Sequence, residues 1–318
     1  MTAAPLRIGF VGVGMMGAPM ARCLLRAGYE LFIADSDAAR RGAFTDGGEA
    51  QRLEPQNAAR LDALITMLPS SQIVERALLG AAPESGDATN EGSGDEPGEA
   101  ARGWARDLPP GALVIDMSSS EPARSRQLAV RLSRMGLAYL DAPVSGGVRK
   151  AQSGSLAILV GGEAAVLERC RPLLRAMGSS VLHVGAAGAG HAAKALNNYV
   201  SAAGLVAAVE ALHVAERFGI APAVMTEVLN ASTGRNNTTE NKVSQFMLSG
   251  SFASGFTLQL MVKDLKIAQA LGQAVGYPMR FGAACAALWE QAGQQAGRTS
   301  DHTEMYRLLA DESGHGPV

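Results

Sequence analysis

The chain has 318 residues, 47% hydrophobic and 18% charged, a globular composition with length for one large domain or two medium ones. Its formal net charge of -2 leaves no electrostatic basis for binding nucleic acid or an anionic membrane. Cys23, Cys170 and Cys285 are too few and too far apart for a disulfide framework or a metal site, and they point to a reducing compartment.

The chain opens without the basic region and apolar run of a signal peptide. Nowhere does an apolar run approach the roughly 20 residues that span a bilayer, so a cytoplasmic protein is expected. Residues 7–12, RIGFVG, are short, apolar and β-prone. Gly12, Gly14 and Gly17 follow, with Met15 and Met16 between them, and a helical pattern then runs to Gly28. Strand, glycine turn and helix in that order suit a dinucleotide site. Gly12 permits the tight turn, Gly14 lets the backbone approach a pyrophosphate, and Gly17 lets the helix pack on the strand. The helix N-terminus then offers free N–H groups to the phosphates. A second strand, YELFIAD, ends at Asp35, where a carboxylate can accept the ribose hydroxyls and repel a 2′-phosphate. This favours NAD over NADP, although Arg40 and Arg41 are near. Asp35 could instead cap the helix that follows, a role Asp37 fills as well.

A further strand, DALITML, leads to Pro69, and a capped helix follows. Residues 81–101 hold six acids, no basic residue and no large apolar one, so they read as a mobile surface insertion without chemistry. Order returns with GALVIDMSSSEP: a strand, then Ser118, Ser119 and Ser120, then a helix from about Glu121-Pro122. Small hydroxyls after a strand stand where a doubly wound sheet places ligand contacts, though one serine can serve as a cap. The next strand runs into Asp141-Ala142-Pro143, and Ser145-Gly146-Gly147 makes a sharp turn. Successive N–H groups in a glycine turn can cradle a carboxylate; the alternative is a plain turn between strands.

From Gly188 the β signal fades. Residues 188–220 form a long helical pattern, apolar on almost every face. Lys194, Asn197, Asn198 and Ser201 nevertheless fall on one face. That stripe is either functional or the wet edge of a core helix with a snorkelling lysine. Further helical patterns follow, separated by glycine, proline and serine breaks. The last of them, DHTEMYRLLADES, precedes a tail, 314–318, expected to fray. His183, His191 and His213 show no metal-ligand spacing and read as surface or cap residues. The fold class expected is α/β: a Rossmann-type doubly wound sheet over 1–187, then an all-helical domain over 188–318 that begins with the long interdomain helix.

GFVGVGMMGAPMA, ITMLPSS, IDMSSSEP, DAPVSGG and GHAAKALNN, in that order and spacing, resemble the β-hydroxyacid dehydrogenases, the group of 3-hydroxyisobutyrate dehydrogenase and its serine, tartronate-semialdehyde and glyoxylate or succinic-semialdehyde relatives. The resemblance implies NAD-dependent oxidation of a short 3-hydroxy acid, or reduction of a small semialdehyde, without a metal. It implies Lys194 as the acid/base and Asn198 as a substrate contact, with Ser145, Gly146 and Gly147 on the substrate carboxylate. It further implies Met67, Leu68 and Pro69 along the cofactor groove, Ser119 near the nicotinamide, and Lys263, in a KDL motif, at the cofactor. Arg235 lies in a segment, 232–237, that either sets substrate selectivity or caps the next helix. Members of the group form homodimers or homotetramers. An imine reductase and a non-catalytic NAD sensor are the competing readings; Lys194 argues against the first, the intact glycine turn against the second.

Overall fold

The computed structural model describes residues 6–80 and 102–311. The acidic segment 81–101 and the tail 314–318 lie outside the described residues. The chain divides into two compact units, Met1–Lys194 and Ala195–Val318. The division falls within the long helix, whereas the sequence reading places it at 187/188.

In the first unit, β1 (Arg7–Val11), β2 (Glu30–Ala34), β3 (Gln51–Arg52), β4 (Ala63–Thr66), β5 (Leu113–Asp116) and β6 (Ala138–Asp141) are parallel, in the order β3-β2-β1-β4-β5-β6. The neighbours of β1 are β2 on one side and β4 on the other. A crevice therefore opens outside the carboxyl ends of β1 and β4, where doubly wound sheets bind ligands. Beyond β6 the sheet continues with β7 (Val144–Ser145), β8 (Ala157–Gly161) and β9 (Ser180–Gly185). Here β8 is antiparallel to β6 and β7 and parallel to β9. The sequence did not foretell this mixed edge, because alternation within a strand does not encode its direction.

Every residue of β4 and β5 is buried. Strands covered on both faces need unbroken apolar runs, which ALIT and LVI supply. Alternate residues serve opposite cores. Ile8, Phe10, Ile33, Ile65 and Ile115 belong to one apolar cluster, and Val11, Phe32, Leu64 and Val114 to the other. Each fully buried side chain of this size contributes about 1.5–3 kcal/mol.

The second unit is helical, as expected. It comprises the rest of the helix Ala189–Phe218, then Pro222–Ala231, Asn237–Asn241, a π-helical turn Val243–Leu248, Leu258–Ala274, Arg280–Gln295, a 3-10 turn His302–Glu304 and Met305–Asp311. Leu205, Val209, Leu212, Leu258, Met261 and Trp289 form its core. By length and composition Ala189–Phe218 is apolar enough to cross a bilayer, which corrects the expectation that no segment reaches that length. A little under half of its most apolar stretch is buried.

Candidate active site

The glycine turn after β1 is built as its residues demand. Gly12 has φ +96°, and a Cβ there would strike the carbonyl of Met67. A Cβ on Gly17 would strike the carbonyl of Gly12, so close packing of helix Gly17–Arg26 on β1 requires glycine. Gly14 is unconfined, with only the Arg40 guanidinium at 3.5 Å from a notional Cβ. The helix has no side-chain cap and no acid in its first turn, which leaves its N–H groups for an anion. Met15 is exposed at the turn, and Met16 packs on the core.

Beside this turn lies a cavity of about 610 Å³ lined by Gly12, Asp35 and Leu68. The Asp35 carboxylate accepts the Val13 N–H at 2.8 Å and the Asp37 N–H at 2.9 Å. Asp37, not Asp35, caps helix Ala38–Thr45, accepting from Ala39 and Arg40. That frees Asp35 to face the cavity. Arg41, Arg52 and Trp104 also line it, and the sequence reading missed them as site residues. Arg41 donates to the main-chain oxygen of Asp35 at 2.8 Å. Trp104 follows an unpatterned segment, and nothing local in the sequence points it toward β1.

The loops after β4 and β5 are locked together. Thr66 Oγ1 donates to Asp116 Oδ1 at 2.9 Å, and Leu68 N–H donates to Ser118 Oγ at 2.9 Å. Ser120 Oγ donates to Asp116 Oδ2 at 2.8 Å, and Met67 N–H donates to Val11 O at 2.9 Å. Ser118 and Ser120 are thus buried structural residues. Ser119 between them is half-buried, and Pro69 is exposed. Ser145 ends β7, and Gly146 (φ +134°) and Gly147 (φ +69°) lead into the short helix Gly147–Gln152. The turn therefore joins strand to helix, not strand to strand. Both glycines are exposed.

Asp141, fully buried at the end of β6, holds the start of the long helix. It accepts the N–H of Gly188 at 2.7 Å and of His191 at 2.9 Å. His191, read from sequence as a surface or cap residue, is instead 1% exposed. Its Nδ1 lies 2.7 Å from Ser125 Oγ and its Nε2 3.0 Å from Ser118 O. Burial, then the nearness of Asp116 and Asp141, drives the Tyr139 hydroxyl far above its ordinary range, so it stays neutral. Lys194 is half-buried one turn beyond His191.

In the second unit Asn198 is 6% exposed, and its Nδ2 donates to Asp264 Oδ2 at 2.6 Å. Lys263 Nζ stands 3.4 Å from Asp264 Oδ1. The residues expected at substrate and cofactor, Asn198 and Lys263, thus share one buried carboxylate that the sequence reading did not single out. Lys242, half-buried, donates to Ser201 Oγ at 3.5 Å, and burial lowers its pKa to about 8. Arg235 is exposed, with Glu240 at 3.6 Å. Asn236 beside it caps helix Asn237–Asn241 by accepting from Thr238 and Thr239. Among the described residues no three metal-ligating side chains come together.

Residues 7–185 match the NAD binding domain of 6-phosphogluconate dehydrogenase. Residues 188–309 match the family described as NAD-binding of NADP-dependent 3-hydroxyisobutyrate dehydrogenase. The chain is 34% identical to 2-(hydroxymethyl)glutarate dehydrogenase of Eubacterium barkeri, over 90% of this chain and 88% of that one. The chain belongs to the β-hydroxyacid dehydrogenase family. A second member, the NAD-dependent L-serine dehydrogenase of Pseudomonas aeruginosa, is 34% identical over 97% of this chain and 99% of that one. Among solved structures, Mycobacterium tuberculosis 3-hydroxyisobutyrate dehydrogenase with L-serine superposes with a TM-score of 0.81 at 30% identity, covering 96% of this chain and 99% of that chain. Membership accounts for the order of the motifs, from the glycine turn to GHAAKALNN.

Proposed function

We propose that the protein oxidises a short 3-hydroxy acid to the corresponding semialdehyde or keto acid, using NAD and a lysine acid/base. The observation that carries the reading is the Asp35 cavity. It combines a glycine whose Cβ would not fit, a carboxylate freed from capping and an uncapped helix N-terminus. Asp35 would hold the adenosine ribose, the turn 12–17 the pyrophosphate, and Leu68 the groove wall, with Met67, Pro69 and Ser119 further along the cofactor. When bound, NAD supplies the hydride acceptor.

Removing hydride from a carbinol leaves a hydroxyl proton to be taken. Lys194 takes it when its amine is neutral. Ser145, Gly146 and Gly147 hold the substrate carboxylate through hydroxyl and backbone N–H groups. Asn198, one turn past Lys194 on the same helix face, hydrogen-bonds the substrate, with its amide oriented by Asp264. Arg235 tunes selectivity from the exposed segment 232–237.

A homodimer or homotetramer goes with this reading. Val200, Val214 and Phe218 on the long helix and Val224 and Val228 on the next are exposed apolar side chains that a second copy could cover. A cytoplasmic setting also fits, because all three cysteines are buried and unpaired.

The test is a screen for NADH formation with 3-hydroxyisobutyrate, L-serine, glycerate, threonate and 4-hydroxybutyrate. Binding of NAD is followed separately through tryptophan fluorescence, in which Trp104 at the cavity responds over a constant Trp289 background. Turnover is expected with at least one of the first four, which carry a hydroxyl on C3; turnover of 4-hydroxybutyrate alone would point to a semialdehyde reductase instead. Quenching by NAD without turnover of any would overturn the substrate class.

A further inference from the structure

We infer that His191 is a positioning residue for this reaction. It ties the first turn of the lysine-bearing helix to the loop that carries Ser119, and so sets where Lys194 stands relative to that loop. The inference rests on the roles proposed above for Lys194 and Ser119.

The geometry is specific. A main-chain carbonyl can only accept, so the contact with Ser118 O places the imidazole proton on Nε2. Nδ1 lies 2.7 Å from the Ser125 hydroxyl, which also donates to Glu121 O at 3.1 Å. Both ring nitrogens thus have a partner. Asp116 Oδ2 and Asp141 Oδ2 flank the ring at 3.8 and 3.7 Å. Asp116 meanwhile accepts from Ser118 N–H and Ser120 Oγ, which fixes the serine loop. Asp141 accepts from Gly188 and His191 N–H, which fixes the helix start. Gly190 seats that start against β6: a Cβ there would lie 2.7 Å from Asp141 O. The imidazole is the side chain that joins the two halves of this cluster.

A buried imidazole is a costly way to fill space. A leucine would need no partners, whereas each ring nitrogen left unpaired costs stability. Its partners here are not incidental. One is the carbonyl next to Ser119, and the histidine itself stands one helical turn before Lys194. A displacement of the lysine by about 1 Å can cost on the order of a hundredfold in rate.

The experiment compares His191→Gln with His191→Asn in the full-length protein. The Gln amide can donate from near the position of Nε2 and so keep the Ser118 bond. The shorter Asn side chain can mimic only Nδ1 and keeps the Ser125 bond alone. Expected for Asn is a fall in kcat of at least about tenfold, with the KM for NAD and the quenching of Trp104 by NAD changed less than twofold. Expected for Gln is recovery to within about threefold of wild type. Hydrogen exchange in segments 118–120 and 188–194 should quicken in the Asn variant and not in the Gln variant. In a Lys194→Ala background, His191→Asn should add less than twofold to the loss, since it acts through the lysine. Equal kcat in the Asn variant and wild type, equal loss in both variants, or losses that multiply with Lys194→Ala would overturn the inference. If the His191→Asn protein fails to fold, Ser118 exchange and kcat in the Gln variant decide: a tenfold loss there also overturns it. An inactive wild-type protein would instead sink the underlying reading.

Discussion

The sheet unit and the helical unit hold their polar residues in opposite ways. In the sheet unit the candidate site grows from backbone: glycines, strand ends and loops fixed by Asp116 and Asp141. In the helical unit it grows from side chains. Asn198 and Lys263 are held through Asp264, and a second polar cluster around Asp301 has a structural task. Asp301 accepts from Ser254 Oγ, from the N–H groups of Gly255 and Phe256, and from Thr303 N–H and Oγ1. A cluster of buried titratable groups therefore marks chemistry in neither unit by itself. What distinguishes a site is an opening beside it, as at Asp35.

The contrast is sharpened first by Asp301→Ala, which leaves five donors without their acceptor. The expected cost is about 3 kcal/mol of stability, read from denaturant unfolding, with no change in NAD affinity. The pH dependence should follow. Burial would raise the Asp301 pKa, but the His302 imidazole at 3.5 Å and hydrogen bonds from Thr303 and Ser254 outweigh it and hold the carboxyl well below its usual range. Its stabilisation is therefore complete above the unfolded value of about 3.9 and lost as pH falls through the folded one. Burial lowers the His302 pKa, so below about pH 6.5 the unfolded chain takes up this proton first. Both effects have the same sign. The wild-type melting temperature should fall on acidification below about pH 6.5 and again below about pH 4, and the second drop should be smaller in Asp301→Ala.

Gly12→Val strikes the backbone-built site. With φ +96° and a carbonyl where the side chain must go, it should raise the Kd for NAD at least about a hundredfold, or about 2.7 kcal/mol, in Trp104 fluorescence titrations. Asp35→Ala is milder. Losing the ribose contact should weaken NAD about tenfold, or about 1.4 kcal/mol, while NADP weakens less or gains. Unchanged NAD affinity in Asp35→Ala would separate the cavity from the cofactor.

Legibility in the sequence tracked the range of the interactions. The glycine turn, Asp35, the serine loop and the onset of the helical half were readable, because each is a pattern of neighbouring residues with steric meaning. The choice between Asp35 and Asp37 as cap needed coordinates, since both satisfy the same local rule. His191 was misread because its partners, Ser118, Ser125 and Asp141, are dozens of residues away. Arg41, Arg52 and Trp104 reach the cavity from separate elements, and their shared location exists only once the sheet forms. Asp264 stood in a recognised motif, yet its bond to Asn198 joins two helices distant in sequence.

The claim on which the rest depends is that the Lys194 amine moves the hydroxyl proton. The direct measurement is kcat of Lys194→Ala with NAD and the best substrate of the five, alongside NAD binding by Trp104 quenching. A loss of at least about a hundredfold in kcat is expected, with NAD affinity unchanged. A rate near that of the wild-type protein would contradict it.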